Sequence, residues 1–423
     1  MLEMRKMKDS GIEWIGEIPE GWSIARGKHI LTLLQRAVFP TDGVITCFRD
    51  GEVTLRSNRR EDGFTVSLKE IGYQGIEPGD LVVHGMDGFA GSIGISDSRG
   101  KSSPVLVVLD SSQDKKYLMY YLRSMAYNNV FLALSTGIRV RSCDLKWNKL
   151  ADLLYLVPPI VEQHKLVSFL DEKCSEIDAM LSKTHSSIEE YKKLKQAVIT
   201  QTVTKGVRGD REMKDSGVEW IGEIPAEWSI CPLKRLAAIQ TGSTPSKTSS
   251  ESFYSSIAGT PWIKPDNLGF SSSIETTAEF LTEEGCSVAR TLPSNTVYVG
   301  CIGSRIGNCG YSLIPCACNQ QINALIFNAR MYWKYGWYLT IFQEEQYMLL
   351  ANGNVIQIIN STTQGNISCI VPSISEQREI TAYLDAKCAE IDGLIAKKEQ
   401  LVKELETYKK SLIYEVVTGK REV

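Results

Sequence analysis

Four cysteines in the second half of the chain are the residues best suited to bind a metal ion. Cys301, Cys309, Cys316 and Cys318 lie close together in the sequence. Structural zinc sites usually present thiolates in pairs two residues apart, with a second pair or two histidines at a fixed distance. The spacings here differ from that pattern, and the four histidines of the chain are scattered. We therefore predict buried free thiols and no bound metal.

The other short motifs that could support catalysis are incomplete. An adenine amino-methyltransferase needs an Asn/Asp-Pro-Pro-aromatic loop, and residues 157–160 read VPPI, with neither the polar nor the aromatic residue. The glycine-rich run at 88–94 favours a β-turn over a cofactor loop, and no Gly-x4-Gly-Lys-Ser/Thr phosphate loop occurs. The Asp-Glu-Lys run at 171–173 falls in a helical pattern, so it is expected to be solvated surface. The sequence predicts a chain that makes or breaks no covalent bond.

Composition places the chain among ordinary folded proteins. Of its 423 residues, 43% are apolar and 23% are charged, and no apolar run approaches the length that spans a bilayer. Without an export signal, we expect a cytoplasmic protein with reduced cysteines. The net charge of −3 gives no global sign of a polyanion partner, but residues 25–156 hold 17 Lys and Arg against 14 Asp and Glu. Residues 231–370 hold eight of each, so any surface for a polyanion is expected in these two blocks.

The elements that position these residues occur twice. Residues 7–24 read MKDSGIEWIGEIPEGWSI, and residues 213–230 read MKDSGVEWIGEIPAEWSI. We call these segments box 1 and box 2. A second repeat reads VPPIVEQHKLVSFLDEKCSEID at 157–178 and VPSISEQREITAYLDAKCAEID at 371–392. The intervening blocks do not align with each other, which indicates a tandem duplication of a frame that carries two unlike domains.

A long helix is predicted after each variable block. Residues 161–202 and 375–416 carry apolar residues mostly three, four or seven positions apart, with Glu and Lys between them. Gly206 and Gly419 are expected to end the helices. Each helix has one narrow apolar stripe, so we predict that the two pack as an antiparallel coiled coil; the alternative is two independent core helices.

The variable blocks alternate β-like runs with glycine-rich turns, and a helix is predicted at 116–127 in the first block and at 332–350 in the second. The fold class is therefore α+β: two domains with mixed or antiparallel sheets joined by two long helices, with a pseudo-two-fold repeat. The predicted segments are box 1 with the first domain (1–156), the first helix (157–206), box 2 with the second domain (207–370), and the second helix (371–423). The box tryptophans are expected to anchor each box; they are Trp14, Trp22, Trp220 and Trp228.

This arrangement resembles the specificity (S) subunit of type I restriction-modification systems. The boxes with SG-V/I-EWIGEIP, the P-x-I-x-E-Q runs before L-D-x-K-x-x-E-I-D, and the two divergent blocks carry the resemblance, which covers essentially the whole chain. It implies two target-recognition domains, each reading one half of a bipartite double-stranded DNA site, asymmetric because the domains differ. It also implies that two modification subunits dock on the repeated frame and methylate adenine N6, and that a restriction subunit joins them. S-adenosylmethionine, ATP and Mg are then expected on those partners, and no cofactor on this chain.

Candidate DNA-binding residues are polar side chains in or near turns of the two blocks. Arg suits guanine or a phosphate, and Asn and Gln suit adenine. The candidates are Arg56, Arg59, Arg60, Arg139, Arg141, Lys264, Asn267, Arg305, Asn319, Gln320, Gln321 and Asn354. For each one, a plain surface role or a turn-stabilising hydrogen bond is the alternative.

Candidate partner-docking residues come from the repeated helical motif. They are Glu162, Gln163, Asp171, Lys173, Glu376, Gln377, Asp385 and Lys387. A rival function from another class also remains open, namely a non-catalytic coiled-coil scaffold whose variable domains bind protein or carbohydrate.

Overall fold

The computed structural model describes residues 5–59, 70–133, 145–245, 251–269, 273–353 and 356–423. The chain divides into two compact units. The first unit contains residues 1–184 and 400–423, and the second contains residues 185–399. Each unit therefore holds one box, one variable domain and a part of each long helix.

In its described residues, the first unit is built from short strands and three helices of the variable domain, with a part of each long helix. Its elements are β1 (Met7–Asp9), β2 (Glu17–Pro19), β3 (Ser23–Arg26), β4 (Leu31–Leu33), β5 (Ile45–Cys47), β6 (Val53–Leu55), β7 (Gln74–Ile76), β8 (Leu81–His84), β9 (Ile93–Ile95), β10 (Gly100–Ser102), β11 (Leu106–Ser111), α1 (Lys115–Tyr127), α2 (Val130–Ala133), α3 (Trp147–Asp152), β12 (Leu154–Val157) and the start of α4 (Ile160–Lys205).

The main sheet of the first unit is antiparallel, in the order β4-β11-β8-β9, and it is covered on both faces. Successive side chains of a strand point to opposite faces. Leu81, Val83 and Leu109 accordingly pack in one core cluster with α1 and the long helices. Val82 and Val108 pack in another cluster with the β5–β6 hairpin. This double burial explains why these strands read as continuous apolar runs.

The second unit repeats the antiparallel four-stranded sheet of the first and adds a five-stranded sheet. Its elements are β13 (Met213–Asp215), β14 (Glu223–Pro225), β15 (Ser229–Pro232), β16 (Ala237–Thr241), β17 (Tyr254–Ser255), β18 (Thr260–Ile263), β19 (Phe280–Leu281), α5 (Glu283–Val288), β20 (Thr291–Leu292), β21 (Thr296–Gly300), β22 (Cys309–Ser312), β23 (Cys316–Cys318), β24 (Ile322–Phe327), α6 (Trp333–Phe342), α7 (Glu344–Leu350), α8 (Ser361–Gly365), β25 (Ser368–Val371) and the start of α9 (Ile374–Val417).

Two sheets form the variable domain of the second unit. One is antiparallel, in the order β16-β24-β21-β22, and the other is mixed, in the order β17-β19-β18-β23-β20. Within the mixed sheet, β18 and β23 run parallel. The prediction of mixed and antiparallel sheets is confirmed.

The two long helices begin and end where the sequence pattern predicted. The helix α4 starts directly after Pro158-Pro159, and the residues after the two helix ends include Gly206 (φ 75°) and Gly419 (φ 72°), in the left-handed conformation typical of helix C-termini. In the second unit, Tyr191 of α4 lies against Lys398 of α9, and Lys195 of α4 pairs with Asp392 of α9. The residue numbers of the contacts increase along α4 while they decrease along α9, so the two helices are antiparallel.

The same antiparallel contact occurs within the first unit. Asp178 of α4 pairs with Lys409 of α9 at 2.6 Å, and Leu166 and Leu170 share a core cluster with Leu412. The predicted antiparallel packing of the helices is therefore confirmed in each unit. Across the described ranges, no helix is both long and apolar enough to cross a membrane.

One predicted helix is interrupted. The segment 332–350 forms two helices, α6 and α7, that meet at Gln343. Gln343 is buried, and its side-chain amide donates to the carbonyl of Ser368 in β25 at 2.9 Å. This contact with a strand distant in sequence lies at the break between the two helices, and apolar periodicity does not encode it. The prediction of a single helix here was wrong.

Candidate nucleic-acid interface

Most candidate residues of the second unit lie at one edge of its mixed sheet. Lys264 directly follows β18, and Asn319 directly follows the parallel strand β23. The Asn319 backbone N–H donates to the Ile263 carbonyl at 3.1 Å, which fixes the two strand ends side by side. Polar residues that are distant in sequence therefore meet at the carboxyl ends of a parallel pair, a position that commonly carries binding sites in sheets.

Hydrogen bonds within the loops hold several of these side chains. The Asn267 side-chain oxygen accepts from the Lys264 backbone N–H at 2.8 Å. The Asn319 side-chain oxygen accepts from the Gln321 backbone N–H at 3.1 Å, and its amide donates to the Gln321 side chain at 3.1 Å. Gln320 is exposed and bonds the Thr244 hydroxyl. These contacts give the residues the turn-stabilising role, while Gln320 also presents its amide to solvent.

The loop that carries Arg305 borders the same edge. The Cys301 backbone N–H donates to the Gln321 carbonyl at 2.8 Å, and Arg305 lies 3.6 Å from Asp266. Lys264 forms an ion pair with Glu279. The two basic candidates at this edge therefore have acidic partners, consistent with the equal numbers of acidic and basic residues in this block. We call Lys264, Asn267, Arg305 and residues 319–321 the polar edge.

Arg290 extends the polar edge and was not among the residues predicted from the sequence. It immediately precedes β20, whose Thr291 pairs with Ala317 of β23 in antiparallel register, so Arg290 lies beside the carboxyl end of β23. Its backbone N–H donates to Ser243 Oγ at 3.1 Å. The residue is exposed, and among the described residues its guanidinium forms an ion pair with no carboxylate. Only the strand pairing brings Arg290 to this edge, and the local sequence carries no sign of it.

Gly242 lets the chain pass close to the polar edge. A Cβ at this position would lie 2.2 Å from the Asn319 carbonyl oxygen and 2.4 Å from that of Cys318. Such distances exclude any side chain without movement of the backbone. The close approach holds the loop after β16 against the loop after β23.

In the first unit, Arg56 and Arg59 line a cleft of about 580 Å³. Arg56 donates through Nε to Thr46 Oγ1 at 3.0 Å. Arg59 contacts Asp50 at 2.7 Å and Glu52 at 2.9 Å. We call this the basic cleft. Arg49, which also lines it, was not predicted and lies 3.1 Å from Asp87.

The basic cleft contains a neutral histidine. Burial lowers the pKa of His84, partly opposed by the charge of Asp87. The His84 Nδ1 accepts from the backbone N–H of Asp87 at 3.0 Å, so the proton of the neutral ring lies on Nε2. Burial raises the pKa of Cys47, in the same cleft, to about 12, which keeps the thiol protonated and unreactive. The cleft therefore offers positively charged donors, its arginines, and negatively charged acceptors, Asp50 and Asp87.

Four candidate residues lie outside the described part of the chain. They are Arg60, Arg139, Arg141 and Asn354. Their role in DNA binding stays a prediction.

The four cysteines considered for zinc are buried. Burial raises the pKa of the Cys301 thiol to about 11 and of the Cys318 thiol to about 12, and it also raises the pKa values of Cys309 and Cys316. A protonated thiol is a poor metal ligand and a poor nucleophile. Within the described ranges, no group of three or more His, Cys, Asp or Glu residues is placed to hold a metal ion.

The candidate docking residues divide into two sets. Gln163, Gln377 and Glu376 are buried, and their side chains make contacts inside the chain. Glu162 is partly buried and pairs with Arg5. These four side chains are used by the fold, so docking through them is not supported by their placement.

The other four candidates are more exposed. We call α1 the domain helix of the first unit and α6 the domain helix of the second. Asp171 accepts a hydrogen bond from Lys116 of α1, and Asp385 accepts one from Lys334 of α6. Within the described part of the chain, Lys173 pairs with Glu172 and Glu176, and Lys387 pairs with Glu390, all on the same helix as the lysine. For these four residues docking stays a prediction. It is most compatible with the two lysines, whose ion pairs lie on the surface of their own helix.

The box tryptophans are anchors, as predicted. Trp22 and Trp228 are almost fully buried. In the first unit, the ring centroid of Trp14 lies 6.2 Å from that of Tyr414, near the end of α9. In the second unit, Trp220 packs against Phe342 with ring centroids 5.4 Å apart.

The geometry defines a class of protein: a duplicated frame with two unlike α+β domains and two antiparallel long helices. Residues 225–404 match the family model of the type I restriction modification DNA specificity domain. The chain is 23% identical to a putative type I restriction enzyme MjaX specificity subunit of Methanocaldococcus jannaschii, an alignment that covers 99% of this chain and 98% of that protein. It is 26% identical to the type I restriction enzyme MjaVIII specificity subunit of the same organism, covering 76% and 74%.

A solved structure shares this fold. A chain from a structure concerning complex assembly and conformational transition of the type I R-M system superposes with a TM-score of 0.74. The two are 15% identical, and the match covers 96% of this chain and 99% of the other. The chain is thus related to the specificity subunits of type I restriction-modification systems, as its sequence resemblance predicted.

Proposed function

We propose that this chain is the sequence-specific DNA-recognition subunit of a type I restriction-modification complex. Its two variable domains each read one half of a bipartite double-stranded site. The observation that carries the proposal is the presence of two chemically different polar surfaces, the basic cleft and the polar edge, on a repeated frame. Because the surfaces differ, the two half-sites differ and the whole site is asymmetric.

The chemistry of the two surfaces supports this division of labour. The basic cleft presents arginines beside Asp50 and Asp87, and such a mixture can contact phosphates, guanine and cytosine N4. The polar edge presents amides, with Gln320 exposed, and amides suit adenine N6 and N7. Arg290 adds a cation without an acidic partner among the described residues, which suits a phosphate.

The two long helices are proposed to set the unread gap between the half-sites. The helix α4 has 46 residues and α9 has 44. At 1.5 Å per residue, these are rods of about 69 and 66 Å. A rod of fixed length between two readers requires a fixed number of base pairs between the sequences that they read.

Two modification subunits are proposed to dock on exposed apolar positions of the helices. In the first unit, Met180 of α4 and Leu401 and Tyr408 of α9 are exposed by 53%, 43% and 49%. In the second unit, Leu394 of α9 and Leu194 of α4 occupy positions equivalent to Met180 and Tyr408 by the repeat, and both are exposed.

These positions recur every seven residues and continue to Lys173 and Lys387, which is the spacing of a seam for a further helix. An equivalent patch in each unit suits two copies of one partner. Adenine-N6 methylation, with its S-adenosylmethionine, is assigned to that partner, and ATP and Mg to a restriction subunit. The contribution of this chain is the choice of sequence, without a bond-making step.

The test is a domain exchange read by methylation. Residues 25–156 are replaced by the corresponding block of a related subunit, and methylated adenines are mapped by sequencing in cells that carry the modification partner. One half-site should change and the other should stay. A change of both halves, or of neither, would contradict independent reading. The matched control exchanges residues 231–370 and should change the opposite half.

A second experiment addresses the gap. Removal of seven residues from each helix, at the equivalent positions 187–193 and 401–407, keeps the heptad register of both stripes and retains Met180 and Leu394 of the docking seam. The gap should shorten while both half-sites remain readable. An unchanged gap would exclude the helices as the spacer.

The scaffold alternative is favoured by one observation: Lys264 and Arg305 already have acidic partners. A scaffold domain would bind duplex DNA weakly and without the expected salt dependence. For a DNA reader, the logarithm of affinity falls by about 0.9 per log unit of salt for each phosphate neutralised. Titration of the chain with its methylating partner on duplexes carrying the mapped site separates the two functions.

A further inference from the structure

The Gln of each repeated P-x-I-x-E-Q run joins the long helix to the domain helix of its own unit. In the first unit, the Gln163 side-chain oxygen Oε1 accepts from the backbone N–H of Asp114, the N-cap of α1, at 2.9 Å. In the second unit, Gln377 accepts from the backbone N–H of Tyr332, the N-cap of α6, at 2.7 Å. The first N–H groups of a helix have no partner inside the helix, so each glutamine satisfies one from outside.

The amide groups of the same glutamines complete the joint. Gln163 Nε2 donates to the Pro158 carbonyl at 2.8 Å, and Gln377 Nε2 donates to the Pro372 carbonyl at 2.9 Å. Both side chains are fully buried. A buried amide with donors and acceptors satisfied in one geometry fixes the relative position of the groups that it joins.

The aspartate eight residues further along each helix makes a second joint. Asp171 accepts from Lys116 Nζ at 2.6 Å and from the Tyr120 hydroxyl at 2.9 Å. Asp385 accepts from Lys334 Nζ at 2.6 Å and, in the same geometry, from the Tyr338 hydroxyl at 2.9 Å. Two joints about two helical turns apart on one helix prevent the domain helix from rotating about either of them.

A buried tyrosine ties each domain helix to the opposite long helix. The Tyr117 hydroxyl of α1 lies 3.2 Å from the carbonyl of Val417, the last residue of α9, and 3.2 Å from that of Leu156. The Tyr335 hydroxyl of α6 lies 3.5 Å from the Val203 carbonyl near the end of α4 and 3.3 Å from that of Ile370. Each domain helix therefore has polar contacts to both long helices within its own unit.

We infer that these repeated Gln, Asp and Tyr contacts form a clamp that sets the orientation of each reading domain on the helices, and thereby the gap that the complex accepts. This inference rests on the proposed function of reading a bipartite site. Asp171 and Asp385 are then positioning residues, and neither contacts a base. Loosening the clamp should broaden the range of accepted gaps without changing the bases that are read.

Asp171 is the residue to change, because it is partly exposed and its loss leaves Gln163 and Tyr117 in place. Asp171→Ala removes both contacts, whereas Asp171→Asn keeps an oxygen that can accept from the Tyr120 hydroxyl. The matched control is Asp178→Ala, one heptad further along α4. Asp178 pairs with Lys409 of α9, and among the described residues it forms no hydrogen bond or ion pair with the domain helix.

The functional assay uses the full chain with its modification partner and S-adenosylmethionine. Duplexes carry the mapped half-sites with the native gap, one base pair fewer, or one more. For Asp171→Ala, we expect methylation of the shifted duplexes, relative to the native one, to rise about tenfold, the effect of one hydrogen bond to a charged group. Asp171→Asn should lie between Asp171→Ala and the wild type, and Asp178→Ala should match the wild type.

An Asp171→Ala chain that stays active with an unchanged gap preference would overturn the inference. So would a loss of activity on all three duplexes that Asp171→Asn does not restore, because that result indicates a structural role only. If the wild type shows no bipartite site, the proposed function fails, and the clamp is then judged by a measurement without DNA.

That measurement is the distance distribution between labels at exposed Lys28 in the domain and exposed Lys183 on α4, both within the first unit. Bioorthogonal labels are used because the chain has 11 cysteines. The distribution should broaden in Asp171→Ala and stay narrow in Asp178→Ala. Equal widths in all variants would refute the clamp itself.

Discussion

The buried carboxylate at the start of α9 should be far more important for stability than its counterpart at the start of α4. Glu376 has a side chain only 4% exposed; it contacts Arg211 at 2.6 Å and accepts from Trp228 Nε1 at 2.8 Å. By the repeat, Glu162 is the equivalent of Glu376. Its side chain is 25% exposed and pairs with Arg5.

Glu376 and Glu162 differ in the partners that lose a hydrogen bond or ion pair when the carboxylate is removed. Among the described residues, Trp22 Nε1 has no hydrogen-bond partner, so Glu162 satisfies no indole. Removal of Glu376 leaves Trp228 Nε1 buried without its acceptor. It also leaves Arg211, 12% exposed, with only the more exposed Glu227 at 2.9 Å.

The magnitudes follow from these partners. An unsatisfied buried donor costs about 1–3 kcal/mol, and breaking a buried ion pair costs about 3–5 kcal/mol. Because Glu227 still neutralises Arg211 in part, we expect Glu376→Ala to lower the free energy of opening of the second unit by about 3 kcal/mol. For the partly exposed pair of Glu162, Glu162→Ala should cost the first unit about 1 kcal/mol.

Native-state hydrogen exchange, followed by mass spectrometry, measures the two units separately in the full chain. Peptides from α6 and β25 report on the second unit, and peptides from α1 and β12 report on the first. Glu376→Gln keeps an acceptor for the indole and should recover part of the loss. Equal effects of Glu162→Ala and Glu376→Ala would refute the reasoning from burial.

Three further predictions concern pH, a helix end and DNA. The Arg99 guanidinium, followed by the Phe39 backbone N–H, lowers the pKa of Asp42. The contribution of Asp42 to stability is therefore present above about pH 4 and is lost as the pH falls through its folded-state pKa. The thermal unfolding temperatures of Asp42→Asn and wild type should differ above about pH 4 and approach each other as the pH falls through that folded-state pKa. Gly419→Ala should lower the free energy of unfolding, measured in urea, by at least about 1 kcal/mol, because φ is 72° and the new Cβ would lie 2.4 Å from Pro19. The control Gly393→Ala lies within α9 with open space around the new Cβ, so it should leave this free energy unchanged or raise it. Arg290→Ala should reduce the salt dependence of DNA binding by about one phosphate, or 0.9 in log–log slope, and an unchanged slope would exclude a phosphate contact.

The long helices could be predicted because their information is local and repeated. Apolar residues three, four or seven apart define a stripe, and prolines and glycines define the ends, whatever the rest of the chain does. Ile177, Ile188, Ile391 and Val402 belong to these stripes and are buried. The break at Gln343 could not be predicted, because it depends on a carbonyl of a strand that lies 25 residues further along.

The candidate DNA-binding residues rest on side-chain type. Side-chain type predicts which bases or phosphates a residue can bind, but it does not predict where the residue lies in the folded domain. Strand pairing brought Lys264 and Asn319 together, although 55 positions separate them in the sequence. The same pairing brought Arg290 to them, and nothing in its own neighbourhood indicated this. A parallel pair of strands from distant segments is not visible in the sequence of either strand.

The motif residues show the opposite difficulty. Gln163 and Gln377 recur in the repeat, and recurrence by itself predicts a surface shared by two copies of one partner. The structure uses both inside the fold, each satisfying the first N–H groups of a domain helix. A repeated residue can serve a repeated internal contact as well as a repeated external one, and burial separates the two uses.

The two units together explain why the chain can combine a constant frame with unlike readers. The recurring residues Asp171 and Asp385 accept hydrogen bonds from the domain helix of their own unit, so they constrain the part of each domain that packs on the long helices. Among the described residues, the side chains that define the basic cleft and the polar edge take no part in the recurring Gln, Asp and Tyr contacts. Loops there can differ in length and charge without disturbing the clamp. A substitution that changes the bases read should therefore leave the accepted gap unchanged, and a substitution in the clamp should do the reverse.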